Sequence, residues 1–159
     1  MPAADPTVTW LPVALVVDPD PAAASELSAM ATMAGFQTAV AESVTAALVL
    51  ARRLGVDLVI AEAEFVDGDV LTLARELREF SEAHLLVAST NTEEVDVVAA
   101  LHAGADDHVA KNVPSRVLRA KLEAVRRRCS AAGANPVRIT TRQIAGDVVR
   151  ERGLRMPAP

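Results

Sequence analysis

The sequence predicts an α/β domain built around a doubly wound, five-stranded parallel sheet. Two observations lead to this prediction. Short apolar segments alternate five times with segments of helical periodicity, a pattern typical of parallel sheets with helices on both faces. The predicted strands are also apolar at consecutive positions, as in Val13-Ala-Leu-Val-Val17, which indicates that both faces of the sheet are covered.

Local signals mark where the predicted helices begin and end. Pro21 starts the first helix, where a backbone N–H would have no acceptor within the helix, so proline loses no hydrogen bond there. Ser43 can cap the second helix, and Asn91-Thr-Glu-Glu94 has the pattern of a capping box before the fourth. The helices are predicted from Pro21 to Gly35, from Ser43 to Gly55, over 70–80, from the capping box to Gly104, and over 115–128. The predicted strands are 13–17, 37–41, 57–61, 84–88 and 106–110.

The composition excludes several classes of protein. No apolar run reaches the ~18 residues that a membrane span needs, so we expect no membrane segment. The first residues lack the basic and apolar regions of a signal peptide. A single cysteine, Cys129, excludes an internal disulfide and suits a reducing compartment. We therefore expect a cytoplasmic protein.

The charges divide the chain into two unlike parts. Residues 1–110 hold 18 acidic and four basic residues, whereas residues 111–159 hold 12 basic and three acidic residues. This division favours self-association or an anionic partner for the tail. The alternative is that the two parts neutralise each other within one fold. We expect a compact domain over 13–128, a flexible segment over 1–12, and a linker with a basic tail over 129–159 that could begin an effector domain.

Four polar residues follow predicted strands directly, namely Asp18, Glu62, Ser89 and Lys111. In an open parallel sheet the carboxyl ends of the strands share one edge, and ligands bind there. Two acids, a hydroxyl and an amine are therefore expected to meet in one pocket.

The order of elements and these four residues resemble the receiver domain of bacterial response regulators over roughly residues 13–128. The resemblance rests on Ala14-Leu-Val-Val-Asp-Pro-Asp-Pro21, Val56-Asp-Leu-Val-Ile-Ala-Glu62, the strand ending at Ser89, and Ala103-Gly-Ala-Asp-Asp-His-Val-Ala-Lys111. The last segment is most similar to the branch that carries winged-helix DNA-binding domains. The resemblance implies a flavodoxin-like fold with strand order 2-1-3-4-5 and a role in signal transduction and transcription regulation.

The resemblance also implies roles for the pocket residues. In that family an aspartate after the third strand accepts a phosphoryl group from a histidine kinase, and two acids after the first strand hold Mg²⁺. Asp18 matches the first of these acids, Ser89 the hydroxyl that contacts the phosphoryl group, and Lys111 the amine that balances its charge. Pro19 replaces the second acid, and Glu62 replaces the phosphoacceptor aspartate.

These departures predict a receiver without the standard Mg²⁺-dependent aspartyl-phosphate switch. The extra methylene of Glu62 moves its carboxylate by ~1.5 Å, and a misplacement of ~1 Å can cost ~100-fold in rate. Glu62 is instead expected to pair with Lys111 and mimic a phosphorylated pocket. Asp20 is expected to be a helix cap or loop residue, and His108 stands at the switch position, where the family has an aromatic residue. We expect no metal ion, no cofactor and no enzymatic activity.

The resemblance further implies a homodimer formed through the fourth helix, fifth strand and fifth helix by salt bridges. Asp106 and Asp107 match the acidic positions of that interface, Lys121 matches an arginine, and Arg116 and Arg119 are nearby candidates. A histidine kinase or another regulator is the expected further partner. DNA binding is expected only if an effector domain is attached, and no membrane partner is expected.

Two alternatives remain open from the sequence alone. Asp18-Pro-Asp20 with Ser89 and Lys111 also resembles haloacid-dehalogenase-type phosphatases, in which the first acid is the nucleophile, although no acidic metal motif follows Lys111. In the second alternative a small molecule occupies the pocket of a receiver that has lost phosphorylation. Phosphatase activity that Asp18→Asn abolishes would favour the first, and thermal stabilisation by a ligand would favour the second.

Overall fold

The computed structural model describes residues 11–131 and the short strand Leu154–Arg155. Its sheet contains five parallel strands: β1 (Val13–Val17), β2 (Gln37–Ala41), β3 (Leu58–Ala61), β4 (His84–Ser89) and β5 (Asp107–Ala110). The helices are α1 (Pro21–Met33), α2 (Val44–Leu54), α3 (Val70–Arg78), α4 (Glu94–Ala103) and α5 (Ser115–Ala131). The strand order is β2-β1-β3-β4-β5, which confirms the predicted doubly wound α/β fold.

The boundaries differ from the predicted ones at a few positions. Helix α3 ends at Arg78 rather than at residue 80, and α5 continues to Ala131 beyond its predicted end at 128. Leu154–Arg155 pairs antiparallel with the end of β2, an addition that the five-stranded prediction did not include. Residues 1–10 and most of the predicted linker and tail lie outside the described residues.

Most of the residues predicted to begin or end helices do so in the structure. Pro21 is the first residue of α1, and the Ser43 hydroxyl accepts a hydrogen bond from the N–H of Ala46 at 3.1 Å. Gly55 ends α2 in the left-handed conformation with φ 59°, which glycine adopts without strain. The predicted capping box is wrong. Helix α4 starts at Glu94, and Asn91 instead accepts from the N–H of Glu93 at 3.0 Å in a local turn.

Apolar helices cover both faces of the sheet. Alternate residues of β1 enter different cores, Leu15 facing α2 and α3 and Val16 facing α1 and α5. A fully buried Leu or Phe stabilises the fold by ~1.5–3 kcal/mol relative to an exposed one. The largest fully buried side chains are Phe36, Leu15, Leu50, Leu54, Leu58, Ile60, Leu73, Leu77, Leu85, Leu86 and Leu122.

Helix α4 is embedded less deeply than its neighbours. Ala100 is its one buried residue, while Val95, Val98 and Leu101 remain exposed. An apolar face that the described residues leave uncovered is typical of interaction sites. In the part of the chain that the structure describes, no helix combines the length and apolarity needed to cross a bilayer.

The connection from β3 to α3 folds into a small hairpin that caps a neighbouring helix. Its strands, Glu64–Phe65 and Gly68–Asp69, pair antiparallel. Between them, Asp67 accepts hydrogen bonds from the N–H groups of Val44 and Thr45 at 3.0 Å each, and from the Thr45 hydroxyl at 2.9 Å. Slight burial raises the pKa of Asp67, but these donors outweigh it, so the pKa lies below its ordinary value.

Replacing Asp67 with alanine is expected to lower the free energy of unfolding by about 1 kcal/mol at neutral pH, the usual cost of a lost helix cap. Because the pKa of Asp67 is lower in the folded state, its stabilisation is complete above about pH 4 and is lost as the pH falls through the folded-state value. Urea denaturation of both proteins at several pH values measures this difference. Glu64→Ala, which removes an exposed carboxylate from the same hairpin, is the control. An equal loss in both variants would contradict the capping role.

Candidate functional site

The parallel register brings two acids to one edge of the sheet. Val17 of β1 pairs with Ala61 of β3, so the next residues, Asp18 and Glu62, emerge side by side. The backbone continues this alignment, since the N–H of Glu62 donates to the carbonyl of Val17 at 2.9 Å. Strands β1 and β3 flank the point where the strand order reverses, which is the usual ligand site in such sheets.

One ammonium group joins both acids. The Nζ of Lys111 lies 2.8 Å from Oδ2 of Asp18 and 2.5 Å from Oε2 of Glu62. Lys111 follows β5, so its side chain spans the end of β4 to reach β3 and β1. The predicted ion pair between Glu62 and Lys111 is confirmed. That Asp18 shares the same ammonium was not predicted, although placing all three in one pocket made the contact foreseeable.

The burial of these groups makes the ammonium necessary. The side chain of Asp18 is 1% exposed, that of Glu62 13% and that of Lys111 21%. A buried carboxylate without a cation carries a large desolvation cost. Burial alone would lower the pKa of Lys111, but hydrogen bonds and charge attraction from Asp18 and Glu62 outweigh it and raise this pKa above its ordinary value of 10.5. The stabilisation is therefore complete at neutral pH and is lost as the pH rises through the folded-state pKa.

The remaining carboxylate oxygens are also engaged. Oδ1 of Asp18 accepts from the N–H of Asp20 at 2.9 Å, and Oε1 of Glu62 accepts from the N–H of Ala63 at 2.6 Å. Pro19 offers no side-chain oxygen. Magnesium requires several oxygen ligands in octahedral geometry, and here it would have to displace Lys111 to obtain them. The residues present therefore do not fit the Mg²⁺ ion of the family, and no group of three or more His, Cys, Asp and Glu side chains among the described residues is arranged to hold a metal.

Three other predicted residues lie around this cluster. The Asp20 side chain caps α1 by accepting from the N–H of Ala22 at 3.1 Å, as expected of a cap. Ser89 is buried, and its hydroxyl accepts from the N–H of Asn91 at 3.0 Å, while its carbonyl accepts from the N–H of Lys111 at 2.9 Å. His108 is half-buried and lines a cleft between the start of α3 and α4.

The sequence analysis missed the role of Asn91. Its side-chain N–H donates to Asp96 of α4 at 2.7 Å, so it connects the turn after Ser89 to that helix. An asparagine two residues after the strand-end Ser89 is the available signal, and the capping-box pattern of residues 91–94 concealed it.

Most of the predicted interface residues pair within their own chain. Asp106 contacts Arg78 at 2.9 Å and also accepts from the N–H of Leu85 at 2.8 Å. Lys121 contacts Asp107 at 2.7 Å, and Arg119 contacts Glu123 at 2.9 Å, whereas Arg116 is exposed. The carboxylates and ammonium of Asp106, Asp107 and Lys121 remain between 34% and 43% exposed, so these pairs are accessible to a partner.

Replacing Lys111 with methionine is expected to lower the free energy of unfolding by about 2–3 kcal/mol at neutral pH, because two buried carboxylates lose their cation. The matched control is Lys121→Met, which breaks an exposed pair and should cost less than ~1 kcal/mol. Chemical denaturation of both variants measures the difference. Equal costs would contradict a central role for Lys111.

Comparison with known proteins agrees with this architecture. The family model described as the response regulator receiver domain matches residues 14–123. The transcriptional regulatory protein AruR of Pseudomonas aeruginosa is 36% identical over 143 residues, covering 86% of this chain and 59% of AruR. The DNA-binding response regulator MtrA of Mycolicibacterium smegmatis is 36% identical over 114 residues, covering 72% of this chain and 50% of MtrA.

The solved structures agree as well. A two-component response regulator from Clostridium difficile matches with a TM-score of 0.70 and 25% identity, over 74% of this chain and 97% of that chain. The chain spans about half the length of the curated relatives it matches. The resemblance predicted from the sequence is thereby confirmed at the level of the family: the chain belongs to the response regulator receiver domains.

Proposed function

We propose that this chain is an atypical receiver that acts in cytoplasmic signal transduction and transcription regulation through protein contacts, without the standard Mg²⁺-dependent aspartyl phosphorylation. The observation that carries this proposal is the single ammonium of Lys111 bound to both Asp18 and Glu62. The lysine occupies the carboxylate oxygens that a metal ion would need. The ammonium of Lys111 therefore takes the place of a bound metal cation in this pocket.

The chemistry of phosphoryl transfer supports the proposal. Such transfer depends on a metal, an aligned nucleophile and stabilisation of charge on the transferred group. The candidate nucleophile here is the carboxylate of Glu62, which is held by Lys111 and by the N–H of Ala63. Position 19 supplies no acid. Two of the three requirements are thus unmet, while the cationic group remains.

A second part of the proposal is a homodimer through α4, β5 and α5. This surface includes the exposed apolar side chains of Val95, Val98 and Leu101 on α4 and of Val117 on α5. Exposed ion pairs contribute ~0–1 kcal/mol, so the pairs of Asp106, Asp107, Arg119 and Lys121 could exchange for contacts with a second copy at little cost. Apolar burial is then the main source of affinity, and the charged residues, with Arg116, determine the orientation.

The relatives suggest how such a receiver is used. MtrA is named as a DNA-binding response regulator and AruR as a transcriptional regulatory protein, and both extend well beyond the matched region. DNA binding by this chain is therefore proposed only through an attached effector domain. A histidine kinase or another regulator is the proposed partner of the receiver itself.

The two alternatives have less support. A phosphatase nucleophile at Asp18 would have to leave its ion pair with Lys111 from a nearly inaccessible position. A ligand in the strand-end pocket would compete with the same lysine. The phosphatase alternative also leaves the match of residues 14–123 to the receiver family unexplained.

Incubation with acetyl phosphate and Mg²⁺, followed by intact-mass measurement, tests the absence of phosphorylation. Wild type is expected to show no stable gain of one phosphoryl group. The variant that carries both Pro19→Asp and Glu62→Asp restores the missing acid and the shorter acceptor, and it is expected to gain one. A phosphorylated wild type would refute the proposal, and a double variant that stays unmodified would show that other residues prevent the reaction.

Sedimentation analysis tests the dimer. Wild type is expected to sediment at about twice the monomer mass, and Val98→Asp is expected to remain monomeric because a carboxylate would be buried in the apolar contact. Met33→Asp, which alters an exposed apolar residue of α1, is the matched control and should stay dimeric. Lys121→Glu is expected to weaken association less than Val98→Asp. A monomeric wild type, or dimers that persist in Val98→Asp, would argue against this surface.

A further inference from the structure

A cavity of about 590 Å³ lies at the amino ends of β3 and β4, at the opposite edge of the sheet from Lys111. The end of α2, the loop between α3 and β4, and the last turns of α5 form its walls. This volume falls within the range of small-molecule sites. No role proposed above uses this cavity, which we name the basal cavity.

Two arginines and an aromatic ring line the basal cavity. The guanidinium carbon of Arg52 lies 4.1 Å from the centroid of the Phe80 ring, a stacked cation–π contact. Arg128 enters from α5. Among the described residues neither arginine forms an ion pair, so both guanidinium groups have hydrogen-bond donors available to an anion.

The walls of the basal cavity are held in place before any ligand arrives. The guanidinium of Arg78 donates to the carbonyls of Ser81 at 3.2 Å and Ala83 at 2.7 Å, which fixes the loop beside Phe80. At the start of β3, Asp57 accepts from the N–H of Val13 at 2.9 Å. A site that is already ordered loses less entropy on binding.

The other ionisable groups of the cavity differ in their effect on an anion. Burial lowers the pKa of His84 despite attraction from Asp106, and burial raises the pKa of the Cys129 thiol, so both are neutral at neutral pH. The carboxylates of Asp57 and Glu82 oppose an anion, and that of Glu82 is exposed. Contacts with the arginines must outweigh this repulsion.

We propose that the basal cavity binds a small planar aromatic anion, with its ring against Phe80 and Arg52 and its charged group on Arg128. The ring and the stacked guanidinium supply the flat apolar contact, and a guanidinium matches a carboxylate, sulfonate or phosphate group. This places a ligand at the end of the domain opposite the strand-end pocket. The proposal is independent of whether Glu62 can be phosphorylated.

Naphthalene-2-sulfonate is a suitable probe, followed by the amide shifts of the full chain in two-dimensional NMR. The expected result is saturable shifts in residues 55–57, 80–84 and 125–129, with much weaker binding of the uncharged naphthalene-2-methanol. Arg128→Gln should weaken binding about tenfold, the effect of one lost charge-assisted hydrogen bond. Glu82→Gln should strengthen binding, because it removes a repulsive charge at an exposed position.

Arg127→Gln is the matched control, since it neutralises an exposed arginine of the same helix that does not line the cavity, and it should leave binding unchanged. Amide spectra of the free variants establish that each is folded. Absence of saturable binding, shifts that map to another surface, equal binding of the neutral probe, or equal affinity of wild type and Arg128→Gln would each overturn the proposal.

Discussion

The structure of the pocket depends on one ammonium group that serves two carboxylates. Asp18 is almost inaccessible to water, and Glu62 lies beside it at the ends of adjacent strands. Two like charges this close repel strongly where the effective dielectric is low. The Nζ of Lys111 converts this repulsion into two ion pairs, and it thereby connects the end of β5 to those of β3 and β1.

The same contact is the basis of our proposal for the chemistry of the pocket. A receiver that is switched by phosphorylation needs carboxylate oxygens that are open to a metal, and a nucleophile that is open to a phosphoryl donor. Here one oxygen of each carboxylate accepts a backbone hydrogen bond, and the other oxygen forms an ion pair with Lys111. From the pocket, hydrogen bonds continue through Ser89 and Asn91 to Asp96 of α4, the helix with the exposed apolar face. These hydrogen bonds connect the pocket to the surface that we propose for the dimer.

The sequence predicted the fold and the position of the pocket because both depend on short-range patterns. Runs such as Leu58–Ala61 are apolar on both faces, and each ends at a polar residue, so strands and strand-end groups could be recognised together. The predicted capping box is wrong because the side chain of Asn91 can either cap a helix or close a local turn. In the structure its oxygen accepts from the N–H of Glu93 in such a turn. Two other contacts join residues that lie far apart in sequence, so no local sequence pattern predicts them. They are the cap that Asp67 provides for α2 and the ion pair of Arg78 with Asp106. The basal cavity was missed for the same reason, since it forms where α2, the α3–β4 loop and α5 meet.

Titration of the chain with Mg²⁺, followed by the amide resonances of Asp18, Glu62 and Lys111, tests the central claim most directly. If the lysine holds both carboxylates as described, these resonances should not show a saturable shift at millimolar Mg²⁺. A saturable shift centred on Asp18 and Glu62, accompanied by release of the Lys111 ammonium, would contradict the account.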